Sequence, residues 1–320
     1  MKPIVLGIAA AFFFGVTFIL NRSMDLTGGS WYWSASLRFF YMVPLLWIIV
    51  WMRGNIKPVF QELKARFGTW FLWSSVAFVL FYAPITYAAG FGEAWLVAAT
   101  WQITIVAGSL LVPFFYEGDG KNKGARQKIP FKGLGFSVLI LAGVGLVQIQ
   151  EADGVNGAAW LHVVLPVLIA AIAYPLGNRK MMIVTNKRLD AFQRAFGMTI
   201  ASLPWWVILA AVGWFQTGTP TTDQLWQSFL VAISSGVIAT VLFFQATDLC
   251  SNNPVKLAGV EATQSAEIIF VLAGEMWLLS IATPTVLSLF GVLVIMLGMF
   301  LHSYYGKTEV VQKKSIKLAK

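Results

Sequence analysis

Ten apolar runs succeed one another along 320 residues, near 3–20, 32–52, 69–90, 94–116, 131–149, 159–177, 193–215, 226–249, 254–279 and 283–305. Each is about as long as a helix that crosses the hydrocarbon core of a bilayer. Lipid offers the backbone no hydrogen bonds, so such runs must satisfy their peptide groups internally, as helices. The expected fold is therefore all-α, a polytopic membrane protein of ten transmembrane helices. Hydrophobic residues make up 58% of the chain, charged residues 12%, and the mean hydropathy is +0.73, values outside the range of water-soluble domains. The first run has no basic stretch beyond Lys2 and no small-x-small cleavage site, which reads as a retained span. The longest connections, Arg53–Gly68, Glu117–Pro130 and Gly306–Lys320, leave no room for a separate catalytic or binding domain.

A net charge of +9 on a soluble chain would suggest nucleic acid, but here the basic residues sit in short loops between apolar runs. They report topology instead. With both termini cytoplasmic, 21 of the 23 Lys and Arg fall on the cytoplasmic side and only Arg22 and Arg38 lie towards the other. The external loops Glu151–His162 and Gln216–Gln227 carry acidic residues and no basic ones. The expected location is the plasma (inner) membrane, with the lipid bilayer as partner and no nucleic acid. Cys250 is the only cysteine, which excludes an intrachain disulfide and a cysteine metal cluster.

An internal repeat divides the chain. Asn21-Arg22 after the first run matches Asn178-Arg179 after the sixth, and Arg38, opening the second run, matches Arg194, opening the seventh, at offsets of 157 and 156. The match loosens further on, with Val79-Leu80-Phe81-Tyr82 against Val241-Leu242-Phe243-Phe244 and Thr100-Trp101-Gln102 near Thr263-Gln264. Five spans separate the copies, and five is odd, so the halves must sit upside down relative to one another. This predicts a first five-helix repeat over 1–152, an inverted second one over 153–306 and a basic cytoplasmic tail over 307–320.

The ninth run carries Glu261, Glu267 and Glu275, and carboxylates in hydrocarbon are costly without compensation. At about 100° per residue, these three and Gln264 share a helical sector roughly 120° wide. A polar face of that kind belongs against a protein interior or a water-filled cavity. Glu267 falls near mid-bilayer and is the candidate proton-coupling carboxyl, with Glu261 second. The bland reading of each is a carboxyl satisfied by a neighbouring helix, or by Lys256 or an arginine for Glu261. Glu275, at the external end, reads as structural, reaching water or capping another helix. Thr263 and Gln264 are candidate substrate contacts on this helix.

The fourth helix should face the ninth. Trp95, Gln102 and Ser109 recur every seven residues, with Trp101 beside Gln102, and these four are the remaining substrate-binding candidates. Indoles beside a carboxylate would suit a flat or cationic organic molecule; the competing reading is simple packing. Asn21, Arg22, Asn178 and Arg179 read as interfacial residues or as gating and charge-pairing groups, and Arg38 and Arg194 as partners of the glutamates or of anionic groups. Pro84, Pro175 and Pro204 mark kinks. His162 and His302 lie at span edges, and Asp248 at a cytoplasmic end.

These residues resemble the drug/metabolite transporter superfamily, in its EamA-like branch. An arginine opens the second helix of each half, and the ninth helix ends in Gly274-Glu275 where that family has its Gly-Glu; the first half departs, reading Tyr116-Glu117-Gly118. The segment GVEATQSAEIIFVLAGE is similar to the multidrug resistance efflux transporter group. The resemblance implies two inverted five-helix halves and transport of a small organic molecule, by a monomer or homodimer. No GxxxxGK[ST] loop supplies an ATP motor, so the expected function is proton-coupled export without a cofactor, the proton gradient being the energy source. Competing readings are a metabolite uptake permease of the same fold, a non-transporting scaffold or receptor, and an intramembrane enzyme, the last lacking HExxH and GxSxG.

Overall fold

The computed structural model describes residues 2–54, 56–115, 126, 129, 131–152, 157–250 and 254–318, and among them the chain is helical with no strand. The helices are α1 (Lys2–Leu26), α2 (Trp31–Met52), α3 (Ile56–Ser74), α4 (Leu80–Ala88), α5 (Ala94–Trp101), α6 (Ile103–Leu110) and α7 (Phe131–Ala152). They are followed by α8 (Gly157–Thr185), α9 (Ala191–Thr217), α10 (Thr222–Val231), α11 (Thr240–Cys250), α12 (Pro254–Ala262), α13 (Ala266–Leu278) and α14 (Val286–Leu318). Six stretches of the described residues are long and apolar enough to cross a membrane: Lys2–Leu26, Trp31–Met52, Ile56–Ala88, Leu161–Thr185, Ala191–Thr217 and Thr222–Cys250. Shorter apolar helices occupy Ala94–Leu110, Gly133–Ile149 and Val286–His302. The protein is a multi-pass membrane protein.

Four of the expected runs are interrupted, and the interruptions come in two kinds. Between α3 and α4, residues Ser75–Val79 form a π-helical turn, and between α10 and α11 residues Ala232–Ala239 form another. The Thr240 hydroxyl donates to the Ser235 carbonyl at 2.8 Å, satisfying a group that the widened turn releases. Between α5 and α6 the helix tightens at Gln102, whose N–H reaches the Ala99 carbonyl at 3.2 Å, and between α12 and α13 residues Thr263–Ser265 form a 3₁₀ turn. Here Thr263 and Ser265 donate to the carbonyls of Val260 and Ala262, the kind of hydroxyl back-bonding that bends a helix.

Packing follows a reciprocal scheme. α1 lies against α11 and α13, α8 against α4 and α6, α2 against α9, and α7 against α14. Small residues let these axes approach: a Cβ on Gly177 of α8 would stand 2.5 Å from the Ala77 nitrogen in the first π-turn. One on Gly143 of α7 would stand 2.7 Å from the Gly291 carbonyl of α14. Two apolar clusters form the core, one around Met24, Phe39, Trp70 and Trp206, the other around Ile85, Trp95, Ile268 and Met299.

Two connections differ from the sequence expectation. Arg53–Gly68 is not a plain polar loop: α3 begins at Ile56, and Val59 and Leu63, one helical turn apart, are buried towards α9. Its polar residues hid the buried pair Val59 and Leu63, and a non-helical Arg66 (φ −142°, ψ 37°) separates this segment from the apolar part. The tail beyond Gly306 continues α14 to Leu318. Glu117 and the loop lysines 121, 123 and 128 lie outside the described residues.

Candidate functional site

A cavity of about 990 Å³, its open mouth included, lies where α1, α2, α4, α8, α9, α11 and the α5–α6 and α12–α13 pairs converge. Its walls are chiefly aromatic, from Phe14, Phe81, Trp101, Tyr174, Phe243 and Phe244. Its charged lining consists of Arg38, Arg179, Arg194, Glu261 and Glu267.

The 3₁₀ turn sets the ninth helix's contribution. It carries Gln264 and Glu267 onto the cavity wall, with the Gln264 amide 3.4 Å from the Gly7 carbonyl of α1. Glu267 is 1% exposed, and its Oε2 has no hydrogen-bond partner. No salt bridge reaches it among the described residues. Glu261, by contrast, is held by Arg179 at 3.0 Å, and Arg179 also donates to the Gly108 carbonyl at 2.6 Å. Its partner is thus the arginine of the Asn178-Arg179 pair rather than free water.

Arg38 and Arg194 both stack on an aromatic ring. The Arg38 guanidinium lies 4.0 Å from the centroid of Tyr82, and that of Arg194 lies 4.3 Å from the centroid of Phe244. Tyr82 and Phe244 are the residues that the sequence repeat aligned. Arg194 additionally pairs with Asp248 at 2.9 Å. Tyr174 on α8 stands at the centre, within electrostatic reach of Glu267, Arg38, Arg194 and Glu261.

Of the fourteen residues singled out from sequence, the cavity brings together Arg38, Trp101, Asn178, Arg179, Arg194, Glu261, Gln264 and Glu267. Six stand elsewhere. Gln102 is fully buried behind the wall, donating to the Ala98 carbonyl at 3.1 Å. Trp95 is fully buried in the second apolar cluster, its indole N–H held by Glu93. Ser109 bonds to His302 at 3.0 Å, and His302 also meets Ser137 at 2.9 Å, so this histidine is buried between helices rather than placed at a span edge. Thr263 turns to its own helix and to Gly7. Asn21 accepts from the Tyr82 hydroxyl at 3.2 Å, and Arg22 pairs with Asp25 and the Ala89 carbonyl. The heptad stripe of Trp95, Gln102 and Ser109 therefore splits into three environments, because the tightened turn at Gln102 alters the helical phase between its members.

Glu275 is fully buried and accepts hydrogen bonds from the backbone N–H groups of Ala94 and Trp95, each at 2.8 Å. It caps the N-terminus of α5 from another helix, while α5's own N-cap residue, Glu93, makes no side-chain cap. Sequence reasoning missed Tyr174 and the aromatic partners of the two arginines. For Tyr82 and Phe244 the repeat alignment was the available signal; for Tyr174, sitting between Ala173 and Pro175, the sequence offered none.

Comparison with known proteins agrees with this architecture. A solved structure named only "Crystal structure of protein" superposes with a TM-score of 0.64 over 96% of this chain and 97% of its own, at 9% identity, a likeness of fold. "Uncharacterized protein YjlA" of Bacillus subtilis (strain 168) is 56% identical over 318 residues, 98% of each chain. The "Uncharacterized 42.1 kDa protein in intracellular alkaline protease 3'region" of Shouchella clausii is 49% identical over 267 residues, 83% of this chain and 70% of the relative. The family described as "EmrE: Putative multidrug resistance efflux transporter" matches residues 1–308. With that match over nearly its whole length, the chain belongs to this efflux transporter family of the drug/metabolite transporter superfamily.

Proposed function

We propose that the protein is a secondary active transporter that exports a small organic molecule across the plasma membrane in exchange for protons. Glu267 carries the coupling. The observation that bears most weight is its placement: a carboxyl 1% exposed, on the wall of an aromatic cavity, with no cation paired to it among the described residues. A carboxyl in hydrocarbon without a counter-ion is costly and needs polar company, so its surroundings, and with them its charge state, respond to which side the cavity faces. Glu261 is a weaker candidate because Arg179 already neutralises it.

The same reading takes the chain as ten spans in two inverted halves, 1–152 and 153–306, with both termini cytoplasmic. Support comes from the paired π-turns, 157 residues apart, from the tightened turns in the fourth and ninth runs, and from the reciprocal packing of α1 on α11 and α13 and of α8 on α4 and α6. In an inverted repeat, access to a central cavity alternates as one half rocks against the other.

The test is flux in sealed proteoliposomes under an imposed pH gradient. Glu267→Gln preserves the shape and hydrogen bonding of the protonated carboxyl while removing titration. The variant is expected to fold and bind solute but to lose gradient-driven accumulation. Wild-type accumulation by Glu267→Gln would refute the coupling role and turn attention to Glu261.

A further inference from the structure

Resting on the transport-cavity reading, we infer that Arg38 is a receptor for the carboxylate-type group of an aromatic organic anion, which sets the substrate class of this cavity. Three arginines line it, and two of them have their own carboxylate: Arg179 has Glu261 at 3.0 Å and Arg194 has Asp248 at 2.9 Å. Arg38 has none among the described residues, although it is 3% exposed, and its Nε lacks any hydrogen-bond partner. Its neighbours in charge terms are the hydroxyls of Tyr82 and Tyr174. Glu267 lines the same cavity, and among the described residues no salt bridge joins it to Arg38.

A guanidinium withdrawn from water retains its charge and needs an anion, and its planar fork of donors matches a carboxylate. Stacking on Tyr82 at 4.0 Å and against Phe39 at 5.5 Å fixes the plane of the fork, and its Nε stays unpartnered. The Arg194 Nη2, also buried and unpartnered, adds a second donor on the lining. Phe14, Phe81, Trp101, Tyr174 and Phe243 supply flat apolar walls that a bare inorganic anion would leave unfilled. An aromatic body with an anionic head satisfies both the walls and the guanidinium, and a cationic drug would set like charges together in a low-dielectric site.

The experiment uses one ring system at three charges: indole-3-acetate, indole-3-acetamide and tryptamine, titrated calorimetrically into the purified full-length protein, with sodium chloride as a fourth probe. Indole-3-acetate is expected to bind about tenfold to a hundredfold more tightly than the amide, as a charge-assisted hydrogen-bonded pair supplies, with tryptamine weakest. Arg38→Gln should bring the acetate down to the affinity of the amide, and Arg38→Lys should retain part of the preference. If Arg38→Gln does not fold, the wild-type charge series decides alone. Equal affinity for the three, preference for tryptamine, binding of none, chloride binding as well as the acetate does, or an unchanged ratio in Arg38→Gln would each overturn the inference. Flux separates this from the transporter reading. Transport of a cation or neutral solute alongside any of those outcomes removes the anion site and leaves the transporter, whereas a clear acetate preference in a protein that moves no solute leaves the site and removes transport.

Discussion

Replacing Glu275 by alanine tests whether one carboxylate holds α5 in place. Its two oxygens accept the Ala94 and Trp95 N–H groups at 2.8 Å each, in a spot with no water access. α5 is only eight residues long, so these are two of the few orphan donors at its start, and its own N-cap residue, Glu93, makes no side-chain cap to replace them. The cap consists of these two hydrogen bonds, and each buried N–H left unsatisfied costs about 1–3 kcal/mol, which puts Glu275→Ala at about 2–6 kcal/mol. Glu275→Gln keeps one acceptor oxygen and should cost about 1–2 kcal/mol. At roughly 2 °C per kcal/mol for a chain of this size, thermal unfolding in detergent should fall by about 4–12 °C for Ala and about 2–4 °C for Gln. Equal midpoints for Gln and Ala, or an Ala variant as stable as wild type, would refute the capping role. An unshifted midpoint with lost flux would reassign Glu275 to the transport cycle.

Two further substitutions probe packing and the cavity wall. Gly143→Val must push α7 from α14, since even a Cβ would stand 2.7 Å from the Gly291 carbonyl, and the expected loss is about 1–3 kcal/mol in thermal unfolding; Gly145→Val, with open space around it, is the control and should change little. Trp101→Ala removes a cavity wall and should weaken solute binding in calorimetry with a modest change in midpoint, whereas Trp95→Ala empties a fully buried site and should cost about 3–5 kcal/mol with affinity unchanged among the molecules that fold. A reversal of that pattern would restore the heptad stripe as the binding face.

Apolar run length made the helical membrane fold legible, because it rests on a large per-residue energy: in lipid every peptide group must be satisfied within the helix. The polar face of the ninth helix was legible for the same reason, and Glu261, Gln264 and Glu267 do stand on the cavity. The fourth helix was not. Extrapolating Trp95, Gln102 and Ser109 along one uninterrupted helix assumed a constant rotation per residue, which the turn at Gln102 violates. Pairing was equally hidden. Nothing local in the sequence says that Arg179 meets Glu261 across 82 positions, or that Arg38 goes without a carboxylate, because such facts depend on which helices become neighbours.

The two π-turns act as phase shifters. Inserting one residue into an α-helix rotates everything beyond it by about 100°, so each of these helices is two amphipathic segments set on one axis with a fixed angular offset. Ahead of the first turn, Trp70 faces the core; beyond it, Phe81 and Tyr82 are swung towards the cavity and its arginine. The second turn aims Phe243 and Phe244 in the same way. Removing a residue from either turn would restore a regular helix and lose the aim, turning stacking rings away from the guanidinium groups they now support. In this fold, the bearing of the aromatic walls is written in residue number as much as in residue type.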